Sequence, residues 1–163
     1  MERSQPFVQL SQTHLQVLST CPRKFQSLFL DQLALPQVST RSEQQQLGVQ
    51  FHQLMQQREL GLEIQPLLAD NPQLQRWFHH FQDFPPPMIT GTRQSEHPCT
   101  LAFQDFILVA VYDLLIQGPD QAQIIDWKTY RRPPYTQTLQ QHWQTRLYPF
   151  LLAETSQYQP EQI

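Results

Sequence analysis

Three charged side chains stand in segments that are otherwise apolar. Asp113 lies inside ILVAVYDLLI, residues 107–116, and Asp126 and Lys128 are two apart in IIDWKT, residues 124–129. A carboxylate buried without a partner costs several kcal/mol and tends to take up a proton instead. Asp113 therefore needs compensation. Side chains alternate along a strand, which puts Asp126 and Lys128 on one face and Ile125 and Trp127 on the other. The short connection through Gly118 predicts an antiparallel hairpin that brings Asp113 beside Asp126. Two adjacent carboxylates repel each other. Lys128 supplies one positive charge, and a divalent cation would supply the rest and keep both acids ionised. A buried ion pair is enough to explain one Asp-x-Lys, but it leaves the second aspartate unexplained.

Two helical segments add candidates. In QLGVQFHQLM, Gly48 and His52 are four apart and share a helical face. Glycine inside a helix costs about 1 kcal/mol against alanine, so it is usually kept where something approaches closely. Alone, His52 reads as a boundary histidine. Gln144 and Tyr148, in HWQTRLYPF, are also four apart, and alone they read as an amide and an aromatic at the core edge. Glu96, in RQSEHP, is either a strand-end surface residue or a further acid near the same place.

These residues need elements to carry them. Residues 11–33 read as helical, with Ser11 as cap and a break at Pro22. A second helix is expected from Ser42 to Leu60, stopped at Gly61. A third starts with Asn71 as cap and Pro72 in its first turn, and ends at Pro85–Pro87. The pattern then turns to β-formers, with strands expected over 89–97, 100–116 (in two pieces or as one bent strand) and 122–129 and a turn at QGPDQ. A last helix is expected over 136–154, with Leu139, Trp143, Leu147, Phe150 and Leu151 on its apolar side. The expected fold class is α/β with an α+β-like order: a small, mostly antiparallel sheet flanked by helices, in one domain spanning 1–163.

Composition narrows the class further. A chain of 163 residues can bury a core. A net charge of −3 offers no overall basic field for nucleic acid, although a local cleft can still be positive. The N-terminal residues lack the apolar segment of a secretory leader, and no run is long enough to span a bilayer. No membrane partner is expected, and a reducing, cytoplasmic setting is. The two cysteines, Cys21 and Cys99, cannot supply the ligands of an iron–sulfur cluster, so none is expected within this chain.

Taken as an ordered set, LSQTHLQVLSTCPRKF, GVQFH, AVYDLL, IIDWKT and QTRLY resemble the PD-(D/E)XK nuclease superfamily, in particular its RecB-like exonuclease branch. The resemblance implies a restriction-endonuclease-like core with a divalent metal, Mg²⁺ or Mn²⁺, at one end of the sheet. It implies His52, Asp113 and Asp126 as metal ligands, with the Trp127 carbonyl as a backbone ligand. Asp113, Asp126 and Lys128 become the catalytic set, Lys128 orienting or activating the attacking water. Gln144 and Tyr148 become the pair that supports the acids or touches DNA. Arg131 and Arg132, directly after the Asp-x-Lys segment, could contact phosphates or simply face solvent. The sequence departs from the family in three places. Ala110 stands where a glycine is frequent, the cluster cysteines that follow Cys21 in some members are missing, and the chain stops soon after the Gln-x-x-x-Tyr helix, as a compact or truncated member would.

The residue types suit the implied chemistry. Phosphodiester hydrolysis needs a hard cation on oxygen ligands, which polarises the phosphoryl group and activates water. One imidazole with two carboxylates suits magnesium or manganese better than structural zinc. The expected activity is a metal-dependent deoxyribonuclease, an exonuclease serving repair or recombination, with DNA as its partner and other proteins joining it in a repair complex. The alternative is a non-catalytic nucleic-acid-binding or scaffold module that keeps the nuclease fold. A third reading, an unrelated α/β domain with a buried ion pair, leaves Gly48/His52 and Gln144/Tyr148 as coincidences.

Overall fold

The computed structural model describes residues 8–33, 42–130 and 135–163. A short strand β1 (Val8–Leu10) leads into α1 (Gln12–Thr20) and α2 (Pro22–Phe25), which runs on as a wide π-helical turn over Gln26–Leu30. Helices α3 (Glu43–Glu59), α4 (Gln65–Ala69) and α5 (Pro72–Asp83) follow. The strands are β2 (Thr92–Phe103), β3 (Phe106–Gln117) and β4 (Ala122–Ile125). Helices α6 (Thr136–Gln141) and α7 (Trp143–Thr155) close the chain, with a 3₁₀ turn at Pro160–Gln162.

Local chemistry sets the helix ends. The Ser42 hydroxyl accepts from the Gln45 N–H, and the Gln45 side chain accepts from the Ser42 N–H. This reciprocal pair starts α3. Gly61, at φ +69°, follows its last turn in the left-handed conformation that ends many helices. Asn71 Oδ1 accepts from the Leu74 N–H at 3.1 Å, and Pro72 opens α5 as expected. At Pro22 the chain does break: Cys21 is extended between α1 and α2.

β3 is the centre of the sheet. β2 pairs with it antiparallel from Thr92↔Gln117 to Phe103↔Phe106. Its other edge is shared by β1, parallel over Val8↔Phe106 to Leu10↔Leu108, and by β4, antiparallel over Leu114↔Ile125 to Gln117↔Ala122. The sheet is thus mostly antiparallel and is covered by helices on both faces, in line with the expected class.

One core lies between the sheet and α7, with Tyr112, Leu115, Leu147 and Leu151 at its centre. The other lies between the sheet and α3 and α5, built from Leu54, Met55, Leu74, Phe78, Leu114, Ile116 and Trp127. Burying each such side chain contributes roughly 1.5–3 kcal/mol. Arg93 of β2 pairs with Glu59 at the end of α3 at 2.7 Å and ties that helix to the strand edge.

Several boundaries differ from the sequence expectation. No break lies near residue 98; the β2–β3 turn is at Gln104–Asp105, inside the 100–116 segment expected in two pieces or bent. No glycine or proline marks it; Gln104 itself adopts φ +53°, and Pro98 sits inside β2 opposite Val111. β4 ends at Ile125 rather than 129, because the Trp127 N–H goes to the Asp113 side chain. The last helix is two, since His142 is extended at ψ 136° between α6 and α7. Leu139 and Phe150 are exposed, whereas Leu147 and Leu151 are buried. Both β1 and α4 are additions. Among the described residues, no helix is long and apolar enough to cross a membrane.

Candidate active site

The site is built around Asp113. Tyr112 and Leu115 pack into the α7-side core, while Leu114 and Ile116 pack into the α3/α5-side core. The two-residue alternation is therefore broken at Asp113, which lets its carboxylate leave the buried rows. Opposite it on β2, between the pairs Ser95↔Leu114 and His97↔Tyr112, stands Glu96. Glu96 has φ +49°, a conformation that non-glycine residues adopt at a cost. On the other side, one step past Leu114↔Ile125, stands Asp126. Three carboxylates thus form a row across β2, β3 and the end of β4.

Each oxygen of Asp113 has a partner from a different element. Oδ1 lies 3.1 Å from Nδ1 of His52, on α3. Oδ2 accepts the Trp127 N–H at 2.7 Å. The Trp127 ring points into the α3/α5 core beside Ile125 and meets Phe81 edge-on. This leaves Asp126 and Lys128 facing the other way, the alternation expected for a strand although β4 has already ended.

Asp126 is engaged twice. Lys128 Nζ pairs with its Oδ2, and Gln144 Nε2, on α7, donates to its Oδ1 at 2.6 Å. One turn on, Tyr148 is buried against Tyr112, its ring edge-on to that of its neighbour. Burial raises its pKa, and the side chains of Gln12 and Gln144 beside its hydroxyl act against that larger effect. Tyr148 therefore backs the site from within the core, and Gln144 is the member of the pair that reaches the acids.

The helix α3 fixes the segment after β4. Gln44 Nε2 donates to the Thr129 carbonyl at 3.1 Å. A Cβ on Gly48 would come 3.1 Å from Thr129 Oγ1, so the glycine does serve a close approach. Gln12, Gln44, Thr129 and Tyr130 were not legible as site residues, since these contacts join positions far apart in the chain, 85 residues in the case of Gln44 and Thr129. Tyr130, 54% exposed, lines both the cleft over His52 and Asp113 and the smaller one over Asp126 and Lys128. The larger cleft, about 1050 Å³, opens over Gly48, His52, Glu96, Asp113 and Tyr130. Arg131 and Arg132 lie outside the described residues.

The electrostatics record crowded negative charge. The hydrogen bond to Asp113 raises the pKa of His52, with burial acting against it. Burial raises that of Asp126; Lys128 lowers it and Asp113 raises it further. Burial and then Asp113 raise Glu96. Tyr148 is raised first by burial and then by Asp126. Ligand atoms of His52, Glu96 and Asp113 lie within 4.8 Å of one another, a donor set that fits a divalent cation. Asp126 is not one of that trio; its oxygens are engaged by Lys128 and Gln144.

A sequence model of the PD-(D/E)XK nuclease superfamily matches residues 9–163. No curated protein and no solved structure matches the chain.

Proposed function

Because the chain belongs to the PD-(D/E)XK nuclease superfamily, we propose that it is a Mg²⁺- or Mn²⁺-dependent deoxyribonuclease of the RecB-like type. It removes nucleotides from DNA ends in repair or recombination, in the cytoplasm and alongside other repair proteins. The observation that carries this reading is the Asp113 carboxylate, set between His52 and the Trp127 N–H and next to the Asp126–Lys128 pair.

His52, Asp113, Asp126 and the Trp127 carbonyl would hold the cation. The bound ion would supply polarisation of the scissile phosphoryl group and a lowered pKa for its water. Asp113 is fixed by two partners, so it is in place before substrate arrives. Gln144 orients Asp126 from α7, with Tyr148 buried one turn further along the same helix. Lys128 carries the ammonium of this set, on a side chain over one-third exposed. It can turn from Asp126 to the attacking water and offset the charge that builds on the phosphate oxygens. Arg131 and Arg132, next in sequence, would contact the DNA backbone.

The test is digestion of end-labelled single- and double-stranded DNA, with RNA and circular DNA as further arms, in Mg²⁺ or Mn²⁺. Wild type should degrade linear DNA, and Lys128→Ala and Asp113→Ala should not. Binding without cleavage under every metal would replace this reading with that of a scaffold. Cutting of circular DNA would remove the exonuclease part.

A further inference from the structure

We propose that Tyr130 is a base-stacking residue: a base of an unpaired strand end lies on its ring in the smaller cleft against α7, which sets the adjoining phosphate at Lys128. The inference rests on the nuclease reading above and adds to it the form of DNA that the site takes and the side chain that selects it.

Tyr130 is a post on a fixed footing. The carbonyl of Thr129, the residue before it, accepts from Gln44, and Gly48 leaves room for the Thr129 side chain. The backbone leading into Tyr130 is thus tied to α3. Its ring is exposed and, among the described residues, has no hydrogen bond, ion pair or ring partner. An aromatic ring held out in water is a surface on which a flat base can stack.

The ring is a shared wall of four clefts. One opens over His52 and Asp113, one over Asp126 and Lys128, one toward Gln12 and Gln16 of α1, and one toward Leu47 and Trp77. A strand lying in any of them meets Tyr130. The cleft over Asp126 and Lys128, about 290 Å³, adds apolar walls from Ile124, Leu139 and Pro149. Leu139 is one of the exposed large apolar side chains of this protein, and it faces the same space as the ring. A base has apolar faces to lay against such walls; a phosphate has none.

Charge separates unpaired from paired DNA. A duplex is held chiefly through its phosphates, by lysine and arginine. Among the described residues lining the four clefts, Lys128 is the one with a fixed positive charge. The largest cleft is lined instead by the amides of Gln44, Gln45, Gln53 and Gln56. Amides and an aromatic face suit the edges and faces of bases. An unpaired strand presents these without the cost of opening a duplex.

The experiment is fluorescence anisotropy on labelled DNA in Ca²⁺, with cleavage in Mg²⁺ or Mn²⁺ alongside, for wild type, Tyr130→Phe and Tyr130→Ala. The ligands are a single-stranded oligonucleotide, a blunt duplex, and the same oligonucleotide made abasic at its ends. Wild type should bind the single strand about tenfold or more tightly than the duplex. Tyr130→Ala should weaken single-strand binding by about five- to 150-fold, the range for one stacked base, and Tyr130→Phe should keep it. Abasic ends should cost wild type the same factor and Tyr130→Ala almost nothing, a coupling that a merely structural tyrosine would not show. An equal loss in Tyr130→Ala on intact and abasic strands, no loss on either, or a wild type that prefers the duplex would overturn the stacking role. Metal-dependent cleavage in that case would leave the nuclease reading standing. Coupled single-strand binding with no cleavage under either metal would remove the nuclease reading and keep the stacking role.

Discussion

The Trp127 N–H donates to Asp113 Oδ2 across 2.7 Å, so the residue between Asp126 and Lys128 is tied to the aspartate of the neighbouring strand. This contact takes the Trp127 N–H out of the β ladder just past the end of β4, while Asp126 and Lys128 line the smaller cleft against α7. Asp113 is thus held on one oxygen by backbone, whereas Asp126 is held by the side chains of Gln144 and Lys128.

Asp113→Asn and Asp113→Ala separate these duties. Asparagine keeps an oxygen for the Trp127 N–H but lacks the charge, so it should fold like wild type and lose cleavage. Alanine also strips the N–H of its partner and should cost about 1–3 kcal/mol in denaturant melts. Equal stability of the two variants would mean that the contact does not hold the segment.

Lys128→Ala should lower the cleavage rate by about 10²-fold or more, the scale for losing a group that meets developing charge. Its ammonium is over one-third exposed, and the change in stability should stay within about 1 kcal/mol. Single-turnover cleavage beside thermal melting checks both. A rate loss matched by unfolding would sink the catalytic role.

Gln144→Ala removes the amide that donates to Asp126, and Gln144→Glu replaces it with a like charge. Cleavage should fall in both, further in the glutamate variant, with DNA affinity little changed. If DNA binding falls instead and the rate at saturation holds, Gln144 touches substrate rather than orienting Asp126.

Gly48→Ala sets helix propensity against a contact. Alanine is better in a helix by about 1 kcal/mol, but its Cβ would press on Thr129 Oγ1. In a Thr129→Ala background the same change should stabilise more than in wild type. A double-mutant cycle from chemical denaturation measures the difference, and additivity within about 0.5 kcal/mol would show that no close approach exists.

The His52–Asp113 pair predicts a pH trend in the metal-free protein. A histidine whose folded pKa is raised contributes stability fully present below its unfolded value of 6.5 and lost as pH rises through the folded value. Asp126, also raised, loses its contribution in the same upward direction, but starting from its unfolded value of 3.8. Melting temperature without metal should therefore drop from pH 6 to pH 8 more in wild type than in His52→Gln. Added Mn²⁺ should reverse the trend, because a ligand imidazole must be unprotonated. Identical pH slopes in the two proteins would rule out the pair.

Several parts of this protein were written locally. Ser42, Gly61, Asn71 and Pro72 mark helix ends through contacts with their own neighbours in the chain, and the apolar run around Asp113 marks a strand covered on both faces. Asp113, Asp126 and Lys128 stood out because charge in an apolar pattern needs a reason, and Gly48 because glycine inside a helix does, whereas His52 and Gln144 gained a role only through the resemblance of the ordered motifs. What no local pattern could carry was the break in alternation at Asp113, the end of β4 at Ile125, the bend at His142 and the arrival of Glu96 beside His52. Those depend on which oxygen captures which N–H and which strand lies opposite which, and the chain settles these only once distant segments compete for the same partners. Residue types thus determined that buried charge had to be neutralised, and the packing of α3, β2, β3 and α7 decided which groups do it.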